Sequence, residues 1–432
     1  MKAINVGICG LGTVGYGSFG VLQRNRVEIA RRVGQQVQVS HIATRSLKTG
    51  QDIGDVKLSS DIFAVVNDPQ VDIVLELMGG YEPALELIMQ AIARGKHVVT
   101  ANKALIAEHG NDIFAAAREK NVVVAYEASV AGGIPIIKAI REGLAGNRIQ
   151  WLAGIINGTG NFILTEMQEK GRAFATALRE AQALGYAEAD PTFDIEGIDA
   201  AHKLTILASI AFGIPLQFDK VYIEGISAIT PADITYADEL GYRIKHLGIS
   251  RKTRAGIELR VHPTLISEKQ LLASVAGVMN AVMVNGDAVG STLYYGAGAG
   301  AMPTASAVVA DIVDVARMIS NPELRVPALA FQADSLSSTP ILDIEDINCA
   351  CYLRIQAQDK VGVLADITQI LGRHQINIEA IIQKDLADDA VPIIILTHDV
   401  REAVMNEAIR AIENLEAVVE KVARIRMDTL GS

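Results

Sequence analysis

Residues 4–15 constrain this chain more than any other segment. A β-branched and apolar run, Ile4 to Cys9, passes directly into Gly10-Leu-Gly12-Thr-Val-Gly15, and a helical pattern follows over 14–33. Gly10 permits a tight turn, Gly12 lets the backbone approach a pyrophosphate, and Gly15 lets the helix pack on the strand. The N–H groups at the start of that helix then face the phosphates. Leu11, Thr13 and Val14 belong to the same turn and complete the expected cofactor contact. A GxGxxG alone says little; its place between a strand and a helix gives it meaning.

The segments that follow keep the alternation. Strands are expected at 37–43, 73–77, 97–100 and 122–126, with amphipathic helices at 83–94 and 111–120 between them. Apolar strands alternating with helices imply an α/β fold of the Rossmann type, a parallel sheet covered on both faces. The second strand ends Ala43-Thr44-Arg45-Ser46, where an NAD site usually offers an acid to the ribose. Arg45, with Lys48 or Lys57 nearby, can instead hold a 2′-phosphate, or serve as a solvated loop charge. NADP(H) is therefore favoured, and NAD(H) stays open.

With 432 residues the chain exceeds one ordinary core, and about 100–200 residues per domain gives two to four. Lys and Arg are scattered and the net charge is −11, so no basic stripe offers itself to nucleic acid. The apolar stretch 204–218 is broken by Gly213 and Pro215 and is short of the ~20 residues a bilayer needs, which argues against a membrane partner. The first residues lack a cleavable signal pattern. Cys349 and Cys351 are too close for an easy disulfide and match no metal spacing; with Cys9 they read as small buried hydrophobes, which suits a cytoplasmic location.

The expected organisation has four parts. Residues 1–133 form the nucleotide-binding domain, completed by about 298–330, where a Gly/Ala-rich segment runs into an apolar helix. Residues 134–297 form an α+β domain. Residues 331–348 are polar and turn-rich and read as a linker. Residues 349–432 read βαββαβ. On this reading a cut near Leu342 removes the last module and leaves the rest folded.

The chemistry concentrates in 184–204. Asp199 and Lys203 stand four apart at a helix start and share one face. The face continues through Ile206, Leu207 and Ile210, so the pair begins a buried stripe instead of extending a wet one. Lys203 suits protonation of a carbonyl oxygen as hydride arrives, with Asp199 orienting that ammonium or the substrate. Glu188 and Asp190 in the preceding loop add negative charge, which suits a substrate bearing an ammonium group. His202 falls on another helix face and reads as structural.

GLGTVG, TANK, EASVAGGIP, Gly158 to Phe162, LGYAEADPTFDIEGIDAAHK and GAGAGAMPTA follow one another in the order seen in homoserine dehydrogenases, and over residues 1–320 the chain resembles that family. The resemblance implies reversible NAD(P)H-dependent reduction of aspartate 4-semialdehyde to L-homoserine, on the route to threonine, methionine and isoleucine. It implies that Lys203 is the general acid/base, Asp199 its partner and Glu188 a substrate-binding carboxylate. Lys103 matches a second active-site lysine beside cofactor and substrate, and Gly300 a glycine on the nicotinamide side. It assigns catalysis, substrate and dimer contacts to 134–297, and a homodimer or homotetramer to the whole. Glu127 and the carbonyls of Val130, Gly132 and Ile134 match a sodium site; read from the residues alone, the loop is equally an ordinary turn with Pro135 opening a helix. The segment from Tyr352 resembles an ACT domain, which implies pairing across subunits and an amino-acid effector, threonine being the expected one.

Overall fold

A computed structural model of the chain describes residues 2–383 and 390–431; residues 1 and 432, and 384–389 inside the expected 349–432 module, lie outside the described residues. The chain divides into two compact units. One comprises Met1–Gly158, Asp199–Val221 and Val278–Thr339, the other Thr159–Ile198, Tyr222–Gly277 and Pro340–Ser432.

The first unit holds a parallel sheet of six strands in the order β3-β2-β1-β4-β5-β6. They are β1 (Ile4–Cys9), β2 (Val37–Ala43), β3 (Lys57–Ser59), β4 (Ile73–Glu76), β5 (His97–Thr100) and β6 (Val124–Ala125). This is the doubly wound order of dinucleotide-binding folds, and its direction reverses between β1 and β4. Every residue of β1 and β4 is buried, which explains why both read as continuous apolar runs. The helix expected over 14–33 is two helices, Thr13–Arg24 and Arg26–Val33, meeting at Asn25. Asn25 leaves the helical conformation (φ −101°, ψ 16°) and so divides the two, in keeping with the poor fit of Asn to a helix interior.

Helix Ala301–Ser320 returns to this sheet. Its Ala305, Val308, Ile312 and Val315 share one core with Ile4, Ile8, Phe19 and Leu22. A Cβ on Gly17 would stand 2.9 Å from the Ala301 carbonyl, so that glycine sets how closely the helices approach. The unit also carries an antiparallel set ordered β12-β11-β7: β7 (Ile149–Ile155), β11 (Met279–Gly286) and β12 (Gly290–Ala297).

The second unit is built on a long hairpin, β9 (Tyr242–Lys252) against β10 (Ile257–Ser267), with β8 (Tyr222–Ile223) on the other side of β10. The C-terminal module follows as β13 (Asn348–Gln358), helix Val363–Arg373, β14 (Ile378–Gln383), β15 (Ala390–Thr397), β16 (Val400–Arg401), helix Glu402–Glu413 and β17 (Ala423–Met427). Apart from the short β16, which pairs with β13, this is the expected βαββαβ order.

That module is not suspended on a tether. Strand β17 pairs with β13 and also, in parallel, with β10, where Thr264 meets Arg426 and Leu265 meets Met427. Ion pairs cross the same seam, the buried Arg260 to Asp428 at 2.8 Å and the part-buried Arg426 to Glu224 at 2.6 Å and Arg354 to Asp233 at 2.7 Å. The Leu342 N–H donates to the Ile257 carbonyl, and the Ile257 N–H donates to the Pro340 carbonyl. A cut near Leu342 would strip a strand from β10 and leave Arg260 buried without Asp428, so the clean separation expected from the sequence fails on the pairing of β17. Among the described residues no helix is long and apolar enough to cross a membrane.

Candidate active site

The turn after β1 uses its three glycines differently. Gly10 has a φ of +98°, and a Cβ there would stand 2.7 Å from the Leu77 carbonyl; on Gly15 one would fall 2.0 Å from the Gly10 carbonyl. Those two glycines close the turn. Gly12 caps helix Thr13–Arg24 and faces open space, with no atom within 4 Å of an added Cβ. A bare helix N-terminus beside free space is what an approaching pyrophosphate requires, so the residues present fit a dinucleotide. Leu11, Thr13 and Val14 lie in this turn, and Gln51 donates to the Leu11 carbonyl at 3.1 Å. Arg45 is exposed just past the end of β2, beside Lys48, whereas Lys57 is committed to Asp68 at 3.0 Å.

Sequence reasoning passed over Glu76, an acid at the end of an apolar strand. It is fully buried, accepts from the backbone N–H groups of Met78 and Gly79 at 2.9 and 3.1 Å, and from the Thr100 hydroxyl at 2.6 Å. It thereby ties β4 to β5 and shapes the turn leading to Gly80, whose carbonyl accepts from Asn102. Asn102 caps helix Lys103–Glu119. The cap places Lys103 in the first helical turn, where a cation opposes the helix dipole and needs compensation.

Asp199 supplies it. The carboxylate is 4 % exposed; Oδ1 stands 3.0 Å from Lys103 Nζ and Oδ2 stands 2.7 Å from Lys203 Nζ. Asn157 donates to Oδ2 at 2.9 Å, and Lys203 donates also to the Ile156 carbonyl at 2.7 Å. The end of β7 and the start of helix Ile198–Phe212 thus fix one carboxylate between two ammonium groups. Burial pushes the Asp199 carboxyl up, but Lys203 and Lys103 outweigh it and hold the group well below the ordinary carboxylate range. The expected Lys103, Asp199 and Lys203 come together; Asn157 and Ile156 are additions that only the fold reveals, since nothing in their types marks them.

His202 meets partners outside the Lys103–Asp199–Lys203 group. It contacts Glu108 at 3.0 Å, which also accepts from the Tyr81 hydroxyl, and it stacks on Phe218 with centroids 4.2 Å apart. Burial lowers its pKa against the pull of Glu108, as expected of a structural histidine.

The loop 127–135 turns through Ala131 and Gly132, with φ of +53° and +50°. A Cβ on Gly132 would stand 2.4 Å from the Gly298 carbonyl, and one on Gly298 would stand 2.0 Å from Asn280, so the two glycine segments nest together. Gly300 opens helix Ala301–Ser320 at a φ of +119°. Glu127 is buried, and both carboxylate oxygens accept from the helix that follows, from Ile137 N–H at 2.9 Å and Lys138 N–H at 2.8 Å. Burial raises its pKa to about 7 against those two hydrogen bonds.

In the second unit, Glu188 is exposed in the loop after helix Phe174–Ala183, and its carbonyl accepts from Gln182 at 3.1 Å. Asp190 is exposed too and caps Thr192. Cys349, Cys351 and Glu402 cluster there, but Glu402 accepts from Arg426 at 2.7 Å, and the Cys351 thiol and burial push the Cys349 thiol well up. A protonated thiol beside a guanidinium suits packing, not a metal.

Comparison with known proteins agrees with this geometry. Residues 10–127 match the model for the homoserine dehydrogenase NAD-binding domain, 135–313 that for homoserine dehydrogenase and 352–417 that for the ACT domain. A homoserine dehydrogenase from Pseudomonas aeruginosa is 66% identical over 100% of both chains, and one from Neisseria gonorrhoeae 55% identical over the same span. The chain belongs to the homoserine dehydrogenase family. A crystal structure of a homoserine dehydrogenase from Thiobacillus denitrificans superposes with a TM-score of 0.96 at 62% identity, covering 100% of this chain and 99% of that one. A hyperthermophilic archaeal homoserine dehydrogenase mutant in complex with NADPH gives 0.64 at 28% identity, covering 75% of this chain and 100% of that one. Membership makes the chain an NAD(P)-dependent oxidoreductase with an ACT domain.

Proposed function

We propose that this homoserine dehydrogenase reduces L-aspartate 4-semialdehyde to L-homoserine, and runs in reverse, with Lys203 as general acid/base. The observation that carries the reading is the buried Asp199 carboxylate shared by Lys103 and Lys203. The nicotinamide, when bound, supplies or receives the hydride. Lys203, fixed by Asp199 and the Ile156 carbonyl, gives its proton to the aldehyde oxygen in reduction and takes it back from the alcohol in oxidation. Lys103 adds a second positive charge where oxygen becomes negative. Asp199 orients both ammonium groups without moving a proton itself, since it stays ionised. Glu188 pairs with the ammonium of the substrate. Gly10–Gly15 hold the pyrophosphate, and Gly300 leaves room on the nicotinamide side. Arg45 favours NADP(H) over NAD(H).

The loop 127–135 is proposed to hold sodium through the carbonyls of Val130, Gly132 and Ile134. Glu127 would supply charge more than ligation, because its oxygens already cap the next helix. The ion would then be structural, and the melting temperature should be higher in sodium chloride than in tetramethylammonium chloride at equal ionic strength. The remaining proposals are a homo-oligomer, a cytoplasmic enzyme, and threonine feedback through the ACT domain. Initial rates with aspartate semialdehyde and NADPH, then NADH, test the central reading: turnover with neither cofactor would overturn it.

A further inference from the structure

A cavity of about 520 Å³ lies within the first unit, among residues none of which belongs to the Asp199 cluster. That volume falls in the ~300–1,000 Å³ range of small-molecule sites. Its walls are the C-terminal halves of helices Lys103–Glu119 and Ala301–Ser320, Pro215 just past helix Ile198–Phe212, and the strap 325–336. The strap is tied down: the Tyr126 hydroxyl donates to the Ala328 carbonyl at 2.5 Å, and Ser337 N–H donates to the Gly213 carbonyl at 2.6 Å. Phe114, Val315, Met318, Leu329 and Leu336 give the cavity an apolar lining, interrupted by Arg118, Arg141 and Arg325.

The arginines are under-used. The Arg141 side chain is 9 % exposed; it gives Nη2 to Glu142 at 2.9 Å, and its buried Nε has no acceptor. Arg325 gives Nη1 to Asn121, and its Nε is likewise buried without an acceptor. A guanidinium carries five donors and stays charged, so burying one with so few acceptors is costly unless an anion completes it. Glu142 and Asp311 offset part of the Arg141 charge, but Asp314 binds Lys138 and Arg317, Asp311 accepts from the Glu127 N–H, and neither lining acid satisfies the Arg141 Nε.

We propose that this cavity is a second ligand site, which takes a small amphipathic carboxylate with its apolar body on Phe114, Met318 and Leu336 and its carboxylate on Arg141. A carboxylate matches the fork of a guanidinium, and Phe114, Met318 and Leu336 offer an apolar body a surface to pack on. Helices Lys103–Glu119 and Ala301–Ser320, whose tails line the cavity, carry Lys103 and Gly300 at their heads, and Pro215 follows the helix that carries Asp199 and Lys203.

The test is calorimetric titration of the full chain with 3-phenylpropionate, and it needs no turnover, so it stands apart from the proposed reaction. One saturable site per chain is expected, with the same affinity in saturating NADPH. The neutral 3-phenylpropanamide should bind ~10-fold more weakly, as should the carboxylate to Arg141→Gln, the scale of one charge-assisted hydrogen bond. Met318→Trp, which fills the cavity, should abolish binding while its circular dichroism and melting stay those of the parent. Absence of saturable heat up to ~10 mM, beyond the range of a specific millimolar site, would overturn the proposal. Equal affinity for the amide, undiminished binding to Met318→Trp, or displacement by NADPH would do the same.

Discussion

Asp199 concentrates the electrostatics of the proposed active site. Replacing it by Asn keeps the shape but leaves Lys103 and Lys203 without their carboxylate, and breaking a buried pair in this way costs about 3–5 kcal/mol. The pairing depresses the folded-state pKa, so its contribution to stability is fully present above the unfolded value of about 4 and fades as pH falls below it. Urea denaturation should therefore show a large gap between the parent and Asp199→Asn at pH 7 that narrows below pH ~4. The same ionisation means that the acid limb of the kcat/KM profile should not come from Asp199. Lys203→Ala should lower kcat by about 10²–10⁴-fold with little change in NADPH affinity, as for loss of a positioned general acid. Near-normal kcat in that variant would remove Lys203 from its role. Arg45 is a simpler case. Arg45→Ala should weaken NADPH by ~1.5–3 kcal/mol and leave NADH almost unchanged, in fluorescence titrations of both cofactors. Equal losses would make Arg45 a loop support.

Elements differed in how openly the sequence declared them. Strand β1 and its glycine turn were legible because an apolar strand buried on both faces and three glycines each leave a mark in residue type. The buried face of helix Ile198–Phe212 was legible for the same reason, and with it the Asp199–Lys203 spacing. Lys103 joins them only through the fold, and came from a family motif. The hairpin β9–β10 escaped notice although Ile257, Leu259 and Val261 alternate with Glu258, Arg260 and His262 in the period of a strand; what the alternation hides is that both faces of β10 are buried. Arg260 is buried against Asp428, just past β17, and Glu258 and His262 in turn bond Arg260; pairing between segments so far apart in sequence leaves no local trace. The seam makes a prediction of its own. Arg260 is 1 % exposed and bonds Asp428 and Glu258. Arg260→Met should cost up to about 3–5 kcal/mol, because it leaves the buried Asp428 and Glu258 to share Arg251, which is more exposed. Adding Asp428→Leu should recover much of that loss, since paired apolar replacements of buried ion pairs are often tolerated. A double variant as unstable as the sum of its parts would mean that the seam is held by backbone pairing alone.

At the scale of the whole molecule, the joined sheet decides how an effector of the ACT domain could reach the enzyme. A threonine-responsive module on a free tether would be removable; this one shares β17 with β10 and is locked to it by Arg260–Asp428 and Arg426–Glu224. An effector acts only by binding two arrangements with different affinity, typically with ~1–3 kcal/mol of coupling. Within the second unit, the stiff route for that coupling is the β17–β10 seam. Threonine should then lower activity and raise the melting temperature of the full chain, by up to about 2.7 kcal/mol of stabilisation at a hundred times Kd. Serine, lacking the methyl group, serves as the control. Arg426 offers a way to separate binding from response, since its guanidinium joins Glu402 of the module to Glu224 beside β8. Replacing Glu224 by Gln trims only the outer half of that link. In Glu224→Gln the thermal shift with threonine should persist while inhibition weakens several-fold, within the usual coupling range. Loss of both together would place Glu224 in the binding site itself. Persistence of both at full strength would mean that the seam carries no signal, and that the module regulates through subunit pairing.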